Sequence, residues 1–431
     1  MHPSIPPDLP DAPHTLASIA GAPTPGRPRS LWRSRDFVLL WSGQAVSTFG
    51  TSVSTLALPL LVLALTRSPT QAGLIAAARL LPYLLLSLPA GALVDRWNRK
   101  ALMIRCDVVR WLALGSVPLA FAFGRLGLPQ LYGVALVEGT ANVFFSLAQI
   151  SALPQVATVE QLPGAWALSE SSDSAARLLG PSVAGFIISL GRTTVAGAAF
   201  AYLADSLSYL ASVISLGFIR IPFQTARGVM SERRSLRAEM GDGLRFLWRQ
   251  RRLRLLALLT MAVNFLQAPI ILVVIVLAQN TLRIDVRTLG LIVSAGGAGG
   301  LLGALLAPRI ARRVRFGHII VGGIALWGLA AATLALAGSP PLLMLGLALV
   351  ELLWPLYAVT VVTYRLSLVP DTMQGRINSA FRLLTFGTEP LGTALGGLLL
   401  TPLGPRAVLW GIAGGLMLTA LVAGMTELRR V

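Results

Sequence analysis

Residues 37 to 66, 255 to 282 and 319 to 350 contain no charged side chain at all. A helix crossing the hydrocarbon core of a bilayer needs about 20 predominantly apolar residues, and runs of this length are hard to place anywhere else. In the 431-residue chain 55% of residues are hydrophobic and 13% charged, against about 45–50% and about 25% in an average soluble domain. Such a chain cannot cover itself with a polar surface, which excludes soluble enzymes and regulators. Cutting it at charges and at Pro/Gly turns gives twelve segments. The run from 319 to 350 is divided by Gly338, Ser339, Pro340 and Pro341, while Glu160, Glu170, Asp173 and Arg177 blur the start of the fifth segment. The expected fold is an all-α integral membrane protein of twelve transmembrane helices.

Charge then sets the orientation, because loops on the cytoplasmic side are enriched in Lys and Arg. With the N-terminus inside, 27 of the 36 basic residues fall on the cytoplasmic side, ten of them at 220 to 254. Six lie outside: Arg67, Arg125, Arg192, Arg283, Arg287 and Arg406. Both termini are therefore expected in the cytoplasm, in a multi-pass protein of the cell's inner membrane. The net charge of +18 is a topology signal, strengthened by attraction to anionic lipid, and no nucleic-acid partner is expected from it. Residues 1–36 hold eight prolines and no long apolar stretch. They read as a disordered cytoplasmic tail, followed by a six-helix bundle at 37–220, a basic cytoplasmic loop at 221–254 and a second six-helix bundle at 255–427.

The two bundles look alike. ALVE occurs at 135 to 138 and again at 348 to 351, GLI at 73 to 75 and at 290 to 292, and GALVDRWNRK at 91 to 100 resembles GALLAPRIARR at 303 to 313. All recur in the same order near one offset, with corresponding loops on the same membrane side. Parallel repeats of this kind build many transporters.

Gly91, Asp95, Arg96, Arg99 and Lys100 match the GxxxDRxxRK loop of the major facilitator superfamily. GPSVAG at 180 to 185, with Gly180, Pro181 and Gly185, resembles that superfamily's antiporter motif, with Ala184 in place of one glycine. RDFVLLWSGQAVSTFG at 35 to 50 and YLADSLSYL at 202 to 210 resemble the branch of drug/proton antiporters and the enterobactin exporter. The resemblance covers residues 31 to 430. It implies a secondary transporter that exports amphipathic small molecules, such as a drug, siderophore or secondary metabolite, by proton antiport and alternating access. It also implies that Gly91, Asp95, Arg96 and Arg99 form a conformational latch. Two departures stand out: Thr51 follows Gly50 where many of the branch carry an acid, and Ala135 lies where a fourth-span arginine is common. They keep open an uptake symporter or facilitator of a small solute or lipid, and more distantly a non-transporting sensor.

Candidate site residues follow from the cost of polarity in lipid. A carboxylate at the bilayer centre costs at least ~2.5–3.5 kcal/mol, so it must face water, a partner or a substrate. Glu138 and Glu351 hold equivalent repeat positions, Asp205 lies in the sixth span and Glu389 begins the eleventh. These four are the expected proton-coupling groups, with Arg79, Arg110 and Arg177 as the alternative static partners. Gln44 belongs to a polar stripe on the first span with Ser47, Thr48, Thr51, Ser54 and Thr55, expected to line a cavity or a helix interface, and Asn264 and Gln267 belong with Thr260 to a shorter one on the seventh. With Glu138, Asn142, Glu351, Trp354 and Tyr357, the three amides Gln44, Asn264 and Gln267 are the expected substrate contacts, the aromatics suiting a cationic or amphipathic molecule. Asp107 and Arg110, three apart, read as a structural ion pair. The chain has one cysteine and no HExxH or Walker A sequence, so neither an enzyme nor a cofactor is expected. A monomer in the bilayer is, with a small-molecule substrate and protons as its ligands.

Overall fold

A computed structural model describes residues 31–94, 96–223, 236–370 and 373–430. Among them every element is helical. The first half contains α1 (Arg35–Thr66), α2 (Pro69–Val94), α3 (Arg99–Ala122), α4 (Leu128–Val156), α5 (Leu162–Ser189) and α6 (Thr194–Phe218). After α7 (Leu236–Arg249) come α8 (Arg251–Gln267), α9 (Ile270–Val276), α10 (Val286–Arg313), α11 (Phe316–Leu336), α12 (Pro340–Leu368), α13 (Gln374–Phe386) and α14 (Glu389–Met425). Nine helical stretches among the described residues are long and apolar enough to cross a membrane. The twelve expected crossings need three more. Candidates are α3 and α5, which are 24 and 28 residues long but carry several charges, and a second pass within the stretch Ile377–Met425, which turns sharply at Gly404 (φ 76°).

Local chemistry sets the boundaries. Asn98, Thr193 and Asp285 accept hydrogen bonds from the third backbone N–H of α3, α6 and α10, which satisfies donors that the helix itself leaves free. Arg67 stops α1 with a left-handed backbone (φ 53°). Asp285 lies outside the apolar stretch, and hydrogen bonds from the Thr288 side chain and backbone hold its carboxyl below the ordinary value. Its contribution is therefore complete above the ordinary carboxylate range and is lost as pH falls through the lowered pKa. Asp285→Ala is expected to cost about 1 kcal/mol and Asp285→Asn much less. Thermal unfolding in detergent checks this, and equal losses in both variants would exclude capping as the cause.

Three expected boundaries shift. The basic segment 221–254 is not all loop: α7 occupies Leu236–Arg249 and packs on α8 and α13, with Leu247 fully buried. Its apolar residues recur at helical spacing within a charged sequence, which hides them from a reading by charge alone. Glu389 does open a helix, but α13 precedes it with only Gly387 and Thr388 between, so the acid sits at a break inside a longer run. The tail's expected end at residue 36 is also late, since Ser34 already caps α1. Asp95 of the GxxxDRxxRK loop lies outside the described residues, as do 1–30 of the tail.

The helices pack in two groups. In the first, α1 lies against α5 and α6, α3 against α4 and α6, and α2 against α4; in the second, α10 packs on α12, α11 on α12 and α14, and α8 on α14 and α13. The main contacts between the groups are α5 with α10 and α2 with α14. They are tightest near the α1–α2 connection, where Gly73 meets Gly397 and Gly185 meets Gly290 backbone to backbone. Small residues permit such approach where lipid offers no hydrophobic drive for association. Hydrogen bonds reinforce that end: Thr70 to Thr401 at 2.8 Å, Ser182 to Ser294 at 2.7 Å and Arg287 to Ser189 at 2.8 Å. Toward the α2–α3 connection, cavities separate the groups.

Candidate functional site

A cavity of about 370 Å³ lies where the two groups face each other. Thr51 and Thr55 of α1, Arg79 of α2, and Glu138 and Asn142 of α4 form its polar wall, while Ala268, Ile271 and Leu272 from the α8–α9 region and Thr393 of α14 close the other side. At its centre Arg79 donates to Glu138 at 2.5 Å and to the Thr55 hydroxyl at 3.0 Å. The Glu138 side chain is 5% exposed and that of Arg79 18%. The pair is thus covered on the acid's side and open to the cavity on the base's side. Pairing cancels the net charge that either group alone would hold in a low-dielectric site.

A second polar layer supports the first. Arg110 donates to Asn142 at 3.1 Å and to Asp107 at 3.3 Å, and Ser212 donates to Asp107 at 2.7 Å. The guanidinium of Arg110 lies over Phe145 and Tyr209, 4.9 and 5.2 Å from their ring centres. The Tyr209 hydroxyl in turn bonds Thr51 at 2.8 Å. The Asp107–Arg110 pair read from spacing therefore forms, and it also orients Asn142 at the cavity wall. Asp205 is fully buried against Gly50; one carboxylate oxygen accepts from Ser208 at 3.2 Å and the other has no hydrogen-bond partner among the described residues.

The structure gathers some candidates here and sends others elsewhere. Glu138 and Asn142 line the central cavity; Gln44, Asn264 and Gln267 do not, although each has a buried polar atom with no partner among the described residues. Asn264 donates to the Thr385 carbonyl at 3.0 Å, tying α8 to α13. Glu351 and Trp354 line a different cavity, of about 380 Å³, with Glu170 and Arg177. Tyr357 is 2% exposed, bonds Thr260 at 2.9 Å and packs at a tilt against the buried Trp327, so it belongs to the core of the second group. Glu389 makes no hydrogen bond or ion pair among the described residues.

From the sequence Arg79 is expected only as a static partner and Thr393 is not singled out, whereas Thr51 and Thr55 belong to the polar stripe of the first span and do line the cavity. The signal for Arg79 was its isolation, since it is the sole charge between Arg67 and Asp95. Of the latch, Gly91 has open space where a side chain would project, and Arg96 is exposed. Arg99 reaches the Phe223 carbonyl at 3.4 Å, within its own half. The motif glycines of α5 work in packing: Gly180 sits against Ser52 of α1 and Gly185 against Gly290 of α10, with the Pro181 carbonyl beside Gly290.

Comparison with known proteins gives a consistent set. Residues 28–431 match the major facilitator family model described as transmembrane secretion effector. The multidrug efflux pump Tap of Mycobacterium tuberculosis is 28% identical over 410 residues, covering 91% of this chain and 93% of Tap. Macrolide efflux protein A of Streptococcus pyogenes is 27% identical over 241 residues, covering 56% of this chain and 57% of that protein. Among solved structures, an inward-facing bacterial homologue of the iron transporter ferroportin superposes with a TM-score of 0.69 at 15% identity, covering 92% of this chain and 98% of that one.

Proposed function

Because the chain belongs to the transmembrane secretion effector family of major facilitator transporters, we propose that it exports amphipathic small molecules by proton antiport. The observation that carries this reading is the cavity built from both groups of helices around Arg79–Glu138. A site that needs both groups is remade whenever they rock, which is how alternating access works around a fixed site. The bundles 37–220 and 255–427 are the rocking bodies, with twelve crossings, both termini in the cytoplasm and the monomer as the working unit in the inner membrane. Basic residues then put the α2–α3 end inside. The glycine contacts seal the outer end, so the cavity receives substrate from the cytoplasm or the inner leaflet.

The ion pair supplies a route to coupling. While Glu138 is ionised, Arg79 is held by it and the cavity is nearly neutral. A proton arriving on Glu138 leaves Arg79 with an uncompensated positive charge in a confined site, which expels a cationic or strongly hydrophobic occupant. Proton and substrate thus exclude one another without sharing an atom. Asp205 is fully buried on α6 with one carboxylate oxygen that has no partner among the described residues, which makes it the next acceptor along that route. Glu351 and Trp354 line a separate cavity with Glu170 and Arg177, Glu389 opens α14, and Gln44, Asn264 and Gln267 are held ready to pair as the helices move.

Proteoliposomes given an imposed pH gradient and either a macrolide or a lipophilic cationic dye test the reading. Substrate-dependent proton flux is expected, and Glu138→Gln should remove it while binding persists. Normal flux in both Glu138→Gln and Glu351→Gln would exclude the assigned carboxylates. Accumulation of substrate in the same direction as the protons would make the protein an uptake symporter instead.

A further inference from the structure

A third cavity, of about 270 Å³, lies between α2, α4 and α13, toward the α2–α3 end. It differs in charge from the two already described. The Arg79–Glu138 cavity is nearly neutral and the Glu351 cavity holds two acids and one base. Here the only charged group in the wall is Arg382, and no carboxylate lines it among the described residues.

The wall is also rich in donors. Arg382 donates to the Tyr83 hydroxyl at 2.9 Å, across the boundary between the two groups of helices, which leaves the Tyr83 proton free to be given. Asn378 accepts from Arg365 at 2.8 Å. Its carbonyl oxygen is thereby committed and its amide N–H₂, unbonded among the described residues, remains as a donor. Arg365 itself is 7% exposed, lies over Phe381 at 4.8 Å and has no acidic partner among the described residues. Ser87, also in the wall, makes no hydrogen bond there. Two guanidinium groups, one of them buried, therefore stand around donors that lack acceptors, and buried cations are normally paired. The remaining lining is Ser146 and Ser379 together with the apolar Val143, Leu147 and Ile150 on α4 and Leu383 on α13.

We propose that this cavity binds the anionic head of an amphipathic molecule, a phosphate or carboxylate held by Arg382, Asn378 and Tyr83 with its chain along α4. The head supplies the negative charge that this wall lacks and bridges the two groups of helices where Arg382 meets Tyr83. Such a ligand is either a phospholipid headgroup or a free amphipathic anion, since both present the same oxygens. The assignment is independent of proton coupling and of the Arg79–Glu138 cavity.

The test uses full-length protein in a neutral maltoside detergent, titrated with dodecyl phosphate and followed by thermal shift and intrinsic tryptophan fluorescence. Saturable binding is expected for dodecyl phosphate but not for dodecyltrimethylammonium. Arg382→Gln should weaken it at least tenfold, and Arg312→Gln, at an exposed arginine elsewhere, should change it less than twofold. Ser87→Leu fills the cavity without removing any hydrogen bond present in it and should also abolish binding, which keeps the test decisive if Arg382→Gln folds poorly. Native mass spectrometry separates the sources. Phosphatidylglycerol retained by the wild type and lost from the variants identifies a headgroup, whereas dodecyl phosphate binding with no retained lipid identifies a free anion. Equal affinity for the cationic detergent, or unchanged binding in both Arg382→Gln and Ser87→Leu, would overturn the proposal.

Discussion

Arg79→Ala is expected to destabilise the protein by about 3 kcal/mol or more, because it leaves Glu138 buried and unpaired, and breaking a buried ion pair typically costs about 3–5 kcal/mol. The Arg79 side chain is 18% exposed and that of Glu138 5%, so the damage is asymmetric. Removing the arginine strands the better buried group, whereas Glu138→Ala strands a base that already reaches the cavity. The glutamate variant should therefore lose less. Removing both charges with Arg79→Met and Glu138→Gln should restore most of the stability, since paired buried charges often break even against neutral replacements of similar size. Denaturant or thermal unfolding in detergent completes the double-mutant cycle, and additive losses would mean that the two groups are not coupled. The double variant is also informative in transport. If Glu138 carries the proton, it binds substrate and moves it without pH dependence.

Much of this arrangement was open to the sequence, for reasons that lie in the chemistry of a lipid environment. Long apolar runs and repeated strings at one offset identify helices and a duplicated plan, because the bilayer penalises every exception. The same penalty singled out Glu138 and Asp205. Tertiary pairing is what a linear reading cannot supply. Glu138 and Glu351 are equivalent by repeat, yet position 79 carries arginine while its counterpart 213 residues later is Ile292, so one acid is paired and the other has no hydrogen bond or ion pair among the described residues. Tyr357 sits one turn from Trp354 in sequence but turns into the core to bond Thr260. The helix α13 ahead of Glu389 was hidden for another reason: Gln374, Asn378 and Arg382 interrupt its apolar residues, so hydropathy does not register it as a helix leading into α14.

Gly73→Leu is expected to open the end of the bundle that the structure shows closed. A Cβ at residue 73 falls within 2.5 Å of the Gly397 Cα, and backbone cannot yield as a flexible side chain does, so the helices must move apart. Overpacking costs about 1–3 kcal/mol. In a protein that alternates between two arrangements this cost falls only on the one in which α2 and α14 touch. A ligand or substitution shifts such an equilibrium by its difference between the two states, and about 1.4 kcal/mol corresponds to tenfold. The closed arrangement should lose tenfold or more in population. A cysteine at Thr70, which bonds Thr401 in the closed arrangement, reports this through its rate of reaction with a membrane-impermeant maleimide. The buried Cys106 is the chain's own thiol and is replaced by serine as background. Labelling should accelerate about tenfold in Gly73→Leu and stay at the parent rate in Gly217→Leu, where a side chain meets open space. Transport should fall in the first variant and persist in the second. Equal labelling in both would mean that the glycine contact packs the bundle without gating it. Because the contact unites the two groups of helices only through backbone and small side chains, it holds them closely yet contributes few bonds that must be broken when they separate, which suits a gate that opens in every cycle.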